Sequence, residues 1–179
     1  MTGALPAVLR TARLVLRPLG PADAGAVIAT LGDLGTARWL RPVPHPFGAA
    51  DFDDFLASAE PGRIWAITEP GPGPGPADDA RFCGLVGLAP RLGYWLCPAA
   101  RGRGLVQEAA RAVLAAHFAR GATAIESYYM LGNDASAAVL QGLGFVPTEV
   151  GTVHARALDA DVPAQWMVLS AEDFAAHAP

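Results

Sequence analysis

The chain has 179 residues, of which 52% are hydrophobic and 17% charged, and its formal net charge is -4. This length fits one domain with a sizeable core, and this composition excludes a disordered or fibrous chain. A slightly acidic chain has no basic field for a phosphate backbone, so nucleic acid is excluded as the main partner and any anion needs a local site.

The first third of the chain predicts a strand, two helices and a stiff loop. Residues 11–19 alternate as a strand does, and residues 23–31 have helical spacing. A second helix, over about residues 48–59, opens with aspartates, where the helix dipole favours acid. Between the helices, residues 41–47 contain three prolines and no glycine. This composition prevents a helix and predicts a rigid loop.

The next part of the chain predicts three strands. Residues 63–69 and 82–88 have strand character and are separated by residues 69–79, in which Pro and Gly alternate. That separator offers no apolar group to bury, so we expect a mobile, solvent-exposed hairpin loop and not a domain boundary. The third strand covers residues 92–96.

A long helix and a second group of elements complete the chain. The helix covers residues 105–119, and a strand over 124–130, a short helix over 135–143 and strands over 145–150 and 165–169 follow. Apolar residues of the long helix repeat at three- and four-residue steps: Leu105, Ala109, Ala112, Val113, Ala116 and Ala119. The order of elements predicts an α/β protein with a mixed sheet and packed helices, in a single domain over residues 1–179.

Cysteine content and hydropathy limit the cellular setting. Cys83 and Cys97 are too few for a disulfide framework and form no metal-ligand cluster, so we expect reduced, mostly buried thiols and no metal. The N-terminal segment has charges between its apolar positions, and no stretch approaches about 18 apolar residues. We therefore expect a cytoplasmic protein without a membrane partner. The sequence leaves the oligomeric state open, and a homodimer is one of the states.

One segment combines two features of an anion site. Arg101-Gly102-Arg103-Gly104 lies between the strand over 92–96 and the long helix. Glycines let the backbone approach a ligand, and a helix start presents N–H groups at the positive end of its dipole. A diphosphate fits such a segment, and a plain tight turn is the alternative. No Gly-Lys-Ser/Thr follows, and Gln107 stands where a dinucleotide fingerprint needs glycine, so neither nucleotide motif is present.

From this loop onward the sequence resembles the GNAT family, whose coenzyme A loop reads Q/R-x-x-G-x-G/A at the start of a long helix. Arg101, Gly104 and Val106 occupy the three pattern positions, and Val106 departs from the usual Gly or Ala. A second block, residues 133–145, is similar to the N-x-x-S-x-x-x-L-x-x-x-G-F of the branch that contains ribosomal-protein N-terminal acetyltransferases. The resemblance is strong over residues 82–146.

The resemblance implies a fold, a co-substrate and a binding site. The fold is GNAT-like, with a central, mostly antiparallel sheet splayed at the coenzyme A site and helices on both faces. The co-substrate is acetyl-CoA, the acceptor is an amine, and the backbone of residues 92–96 pairs with the pantetheine arm as an added strand would. The implied cofactor-binding residues are Leu96, Arg101, Gly102, Arg103, Gly104, Leu105, Val106, Asn133 and Ser136.

Acetyl transfer needs a base for the amine and a proton for the leaving thiolate. Leu140 stands where many relatives carry a tyrosine acid, and the resemblance assigns that role to Ser136, with a helix-capping hydroxyl as the alternative. His154 and Glu126, the latter with Tyr128 on its face, are candidates for the base, and structural roles remain the alternative for each.

The rigid loop over residues 41–47 resembles the acceptor-side loop of the family, which implies substrate contacts for His45 and Phe47. The leading hypothesis is therefore an N-acetyltransferase acting on a protein N-terminus or a small amine. A catalytically inactive acyl-CoA-binding module is the alternative, motivated by Val106, Leu140 and the absence of an evident carboxylate base. A nucleotide-binding protein is a third hypothesis, which the lack of a lysine at the loop disfavours.

Overall fold

The structure is a computed structural model that describes residues 5–71 and 80–177. The chain forms two compact units, one made of Met1–Asp23 and Leu56–Ala122, the other of Ala24–Phe55 and Thr123–Pro179.

The strands along the described residues are β1 (Leu9–Arg10), β2 (Val15–Arg17), β3 (Ile64–Glu69), β4 (Arg81–Leu88), β5 (Leu92–Leu96), β6 (Ala124–Met130), β7 (Val146–Ala155) and β8 (Ala160–Ser170). The helices there are α1 (Ala24–Leu31), α2 (Leu34–Ala37), α3 (Ala49–Ser58), α4 (Leu105–Phe118), α5 (Asp134–Gly142) and α6 (Ala171–Ala176).

The first unit contains an antiparallel sheet of five strands in the order β1-β2-β3-β4-β5. Its central strand, β3, buries Trp65, Ala66 and Ile67 because both of its faces are covered. Helix α4 packs against β4 and β5. This packing fixes the helix start directly after the end of β5, with residues 97–104 as the connection.

Helix α4 turns a different stripe toward the sheet from the one that the sequence predicts. Its buried residues are Leu105, Val106, Ala109, Ala110, Val113 and Leu114. Of the predicted face, Ala112 and Ala116 are only half-buried and Ala119 is exposed beyond the helix end. The prediction was wrong for these alanines because burying Val106 and Leu114 removes more apolar area from water.

The second unit contains an antiparallel sheet of three strands in the order β6-β8-β7. Four buried residues, Met130, Val153, Ala155 and Ala164, form a core on one face of this sheet. Half-buried aromatic and aliphatic residues pack around that core: Trp39, Tyr128, Val162 and Trp166. Helix α5 packs against β6 and helix α6 against β8.

The predicted α/β class and antiparallel pairing are confirmed, and the main differences lie at element ends. The first predicted strand contains only β2, and β1, α2 and α6 were missed because they are very short. The last predicted strand was too short, since Asp161 and Pro163 interrupt the apolar pattern of β8. The predicted hairpin loop begins at Glu69 and an exposed Pro70, and its residues 72–79 lie outside the described residues.

Candidate active site

The predicted coenzyme A loop is a sharp connection between β5 and α4 in the first unit. The Cys97 N–H donates to the Cys83 carbonyl over 2.8 Å, and a 3-10 turn at Pro98–Ala100 follows. Gly102 and Gly104 both have φ 72°, a left-handed conformation that costs glycine little. Gly104 is the N-cap of α4. The two glycines therefore allow the turn that brings the chain into the helix.

The helix start presents a run of unpaired backbone donors. Within the described residues, the N–H groups of residues 104–107 donate to no acceptor, and the first helical bond runs from Glu108 to the Gly104 carbonyl. Residues 101–104 are exposed. Unpaired N–H groups at the positive end of a helix dipole bind anions such as a diphosphate.

Both arginines of the loop have protein partners. Arg103 forms a two-pronged salt bridge with Glu69, in which Nη1 donates to Oε2 over 2.8 Å and Nη2 to Oε1. The hydrogen bonds from Arg103 hold the pKa of Glu69 below its ordinary value of 4.5, although burial opposes that shift. Arg101 Nε donates to the Leu96 carbonyl over 3.3 Å. Both side chains are therefore held against the protein by these contacts.

A contact that sequence analysis missed holds the first turn of α4. Glu108 accepts hydrogen bonds from the Thr11 hydroxyl, the Arg13 backbone N–H and Arg13 Nε. Burial raises the pKa of Glu108, and these bonds together with the Arg13 charge outweigh it, so that the pKa lies below 4.5. Arg13 Nη1 also donates to the Arg103 carbonyl over 3.0 Å. An acidic residue in the first turn of the helix was the one sequence signal for this network.

Strand β5 is an edge of the five-stranded sheet, because β4 is its one strand partner in that sheet among the described residues. Leu96, at its end, is half-buried. Trp95 is also half-buried, with its ring 5.9 Å from that of Phe82. An edge strand of this kind has backbone groups that can pair with an extended ligand.

The start of α5, in the second unit, contains the other two predicted cofactor residues. Asn133 is the N-cap, and its Oδ1 accepts the Ser136 N–H over 3.2 Å. The structure thus gives the capping role to Asn133, while Ser136 is half-buried in the first turn. Leu140 is fully buried in the core. A residue at position 140 therefore faces the interior of this unit.

His154 lies at the same end of the three-stranded sheet as the start of α5. It is opposite Asp161 in the β7–β8 pair, and its Nδ1 is 3.0 Å from Asp161 Oδ1. Its Nε2 is 3.6 Å from Asp159 Oδ1. On the other side of β8, the Leu131 N–H donates to the Pro163 carbonyl over 2.9 Å, just before α5 begins.

Glu126 lies toward the opposite end of that sheet. It is exposed and paired with Val168 of β8, seven positions beyond Asp161. At about 3.3 Å per residue, this register separates the levels of Glu126 and His154 by roughly 23 Å. The structure therefore does not bring the two candidate bases together, and one amine cannot contact both. Tyr128 packs on Trp166, with ring centroids 5.0 Å apart.

The proline-rich loop is tied to the segment that follows β7. The Arg156 N–H donates to the Arg41 carbonyl over 3.2 Å, and Arg156 Nη1 donates to the Pro42 carbonyl over 3.1 Å. His45 is exposed, whereas Phe47 is only 7% exposed. Of the two predicted substrate residues, His45 is thus the one whose side chain is open to solvent.

The described part of the chain has neither a metal-ligand cluster nor a membrane-spanning helix. Residues 5–71 and 80–177 contain no group of three or more His, Cys, Asp or Glu side chains placed to hold a metal ion. No helix in those ranges is both long and apolar enough to cross a bilayer. Both cysteines are free thiols: Cys83 is buried and Cys97 half-buried. Burial, followed by the nearby Glu69 charge, raises the pKa of Cys83 to about 11.

These features define an α/β fold of antiparallel sheets and helices, with a glycine turn directly before the start of α4. The chain belongs to the GNAT acetyltransferase family, because the model of the acetyltransferase (GNAT) domain matches residues 13–146. A GNAT acetyltransferase from Bacillus anthracis is similar in structure, with a TM-score of 0.79 and 15% identity over 92% of this chain and 99% of that one. No curated protein sequence matches the chain significantly.

Two further solved structures share the fold, and the names of these proteins state what they acetylate. The ribosomal-protein-S5-alanine acetyltransferase from Vibrio fischeri has a TM-score of 0.69 and 17% identity, over 93% of this chain and 98% of that one. The spermidine N-acetyltransferase from Vibrio cholerae, in complex with CoA and spermine, has a TM-score of 0.70 and 11% identity, over 92% of this chain and 99% of that one. At these identities the similarity concerns the fold.

Proposed function

We propose that the chain transfers the acetyl group of acetyl-CoA to the primary amine of a protein N-terminus or a small molecule, as an enzyme of the ribosomal-protein N-terminal acetyltransferase branch. The observation that carries the proposal is the run of unpaired N–H groups at residues 104–107, at a turn made by two left-handed glycines. Such a run matches the charge and the close approach of a diphosphate. Leu105 and Val106 contribute their backbone, since both side chains are buried.

The reaction forms a C–N bond and breaks a C–S bond. The neutral amine attacks the thioester carbonyl carbon, loses a proton to a base, and the coenzyme A thiolate leaves and accepts a proton. We assign the proton donor to Ser136 and the base to His154. The choice of His154 over Glu126 rests on its level in the sheet, at the end where α5 begins. The Asp161 carboxylate at Nδ1 would orient the ring so that Nε2 accepts the proton.

The family match supports the remaining predictions. It runs through residues of both compact units, which supports a single catalytic domain. The names of the V. cholerae and V. fischeri proteins suggest two acceptor classes, polyamines and an alanine of a ribosomal protein. The proline-rich loop, with His45 exposed, is our candidate for the acceptor contact. A cytoplasmic location and the oligomeric state stay predictions.

Two measurements on the purified protein test the proposed function. Titration with CoA against ATP should give binding of CoA alone, and acetyl-CoA with a panel of spermidine, small amines and N-terminal peptides should release free thiol. Thiol release that depends on one acceptor class would support the enzyme. Tight CoA binding without release for any amine would indicate the inactive acyl-CoA-binding module, and preferential ATP binding would indicate a nucleotide site.

A further inference from the structure

One guanidinium joins the first turn of α4 to the coenzyme A loop. The Nε of Arg13 donates to Glu108 Oε2 over 2.6 Å, and the Arg13 backbone N–H donates to Oε1 over 2.9 Å. The Thr11 hydroxyl bonds the same Oε1. From this anchored position, Arg13 Nη1 donates to the Arg103 carbonyl over 3.0 Å. The connection between β1 and β2 is therefore held to both sides of the turn at Gly104.

The bond to the Arg103 carbonyl fixes one peptide plane of the loop. The carbonyl of Arg103 and the N–H of Gly104 belong to the same planar trans unit, so they point in opposite directions. With the carbonyl bonded to Arg13, the Gly104 N–H points away from the guanidinium. It is one of the donors that have no acceptor within the described residues. Gly104, on one side of this peptide, can adopt a wide range of φ values at little cost, so the plane needs an external restraint.

We infer that Arg13 is a positioning residue for coenzyme A: it holds the Arg103–Gly104 peptide so that the Gly104 N–H faces the diphosphate. The inference rests on the proposed function, because it takes this loop to be the diphosphate site. Arg13 is half-exposed, at 50%, and exposed ion pairs contribute little to stability. Its effect should therefore appear in coenzyme A affinity more than in the stability of the fold.

A positioning role and a purely electrostatic role of Arg13 predict different coenzyme A affinities for a lysine at this position. An arginine fork can donate through Nε to one acceptor and through Nη1 to another, whereas a lysine has a single ammonium on a flexible stem. Arg13→Lys keeps the positive charge but cannot hold Glu108 and the Arg103 carbonyl in the same way. If Arg13 positions the peptide, lysine should behave almost as alanine does.

The test compares Arg13→Ala and Arg13→Lys with Arg63→Ala. Arg63 forms an exposed salt bridge with Glu60 over 2.7 Å in the same compact unit, so its loss is a matched control for a lost ion pair. Calorimetric titration with CoA should show a Kd raised about tenfold by both Arg13 variants and unchanged by Arg63→Ala. With acetyl-CoA as donor, KM should rise while kcat stays near the wild-type value.

A nuclear magnetic resonance measurement separates positioning from a general structural effect. In enzyme labelled with ¹⁵N-glycine, the Gly104 amide, identified by its loss in Gly104→Ala, should shift on CoA addition. Arg13→Ala should reduce that shift and leave the resonance of Gly121, beyond the other end of α4, unchanged. If Arg13→Ala does not fold, Glu108→Gln provides the second variant, because it weakens the anchor of Arg13 Nε.

Each outcome has a defined meaning. Equal CoA affinity for Arg13→Ala and Arg63→Ala would overturn the positioning role, and so would wild-type affinity in Arg13→Lys, which would make charge alone responsible. Failure of the wild-type protein to bind CoA would instead refute the proposed function. Weak binding in both Arg13 variants, with a reduced Gly104 shift, would support the inference.

Discussion

Replacing Gly104 with valine should weaken coenzyme A binding, and in the free protein it should cost only the strain of a left-handed residue. A Cβ at Gly104 would meet only the Arg13 Nη2 atom at 3.7 Å, an ordinary van der Waals distance. The cost in the free protein is therefore mainly the left-handed φ of 72°, about 1–2 kcal/mol for an L-residue. Because residue 104 carries one of the backbone donors proposed for the diphosphate, a branched side chain there should hinder the close approach of that group. We expect a CoA Kd raised at least about tenfold, or roughly 1.4 kcal/mol.

Gly121 provides the matched control for this substitution. Its φ is 84°, a Cβ there would have no atom within 4 Å, and it belongs to the same compact unit. It follows the far end of α4, whose 14 residues span roughly 21 Å at about 1.5 Å each. Gly121→Val should therefore cost a similar free energy of unfolding and leave CoA affinity unchanged. Thermal unfolding and calorimetric titration of both variants make the comparison, and equal CoA affinities would refute the placement of the diphosphate at Gly104.

Four further predictions concern other residues. Ser136→Ala should lower kcat by about 10²-fold or less, with little change in CoA Kd, if its hydroxyl protonates the thiolate, and unchanged kcat with every amine would remove that role. His45→Ala should change the acceptor KM and not the CoA Kd, whereas Phe47→Ala should destabilise the fold by about 3–5 kcal/mol, because Phe47 is buried. The pKa of Glu69 is lowered by Arg103, so this pair stabilises the fold above pH 4.5 and is lost as the pH falls through the folded-state pKa. Melting temperatures of Glu69→Gln should accordingly fall less steeply than wild type below that pH. Cys83, with its pKa raised to about 11, should resist maleimide at about pH 8 until the protein unfolds, and Cys97 should react first.

The glycine turn before α4 was predictable because its signals are local. Left-handed turns need glycine, and a helix start follows this turn directly. Gly102, Gly104 and Leu105 therefore indicate both features within a few residues. The network around Glu108 was not predictable in the same way. Its partner Arg13 is 95 positions away in the chain, and no periodicity in the sequence reports such a pairing.

The two candidate bases are a second case in which the sequence does not report which residues lie close together. The sequence offered His154 and Glu126 together, because both residue types can take a proton. Strand register separates them, and register depends on how β6 and β7 pair with β8, which is set by packing of the whole sheet. The apolar pattern of β8 is interrupted at Asp161 and Pro163, so the sequence pattern did not predict the start of that strand.

The bonds from Arg156 to the proline-rich loop have a consequence for how acceptor preference can change. The two contacts join residues 114 and 115 positions apart, and they fix the carbonyls of Pro42 and Arg41 at the loop's beginning. A substitution at Arg156 would alter the loop while leaving its own residues intact. Selection of libraries for acetylation of new amines should therefore enrich changes at residues 156–158 as well as in the loop. Under the acceptor role proposed for this loop, adaptation to a new acceptor can thus begin far along the chain.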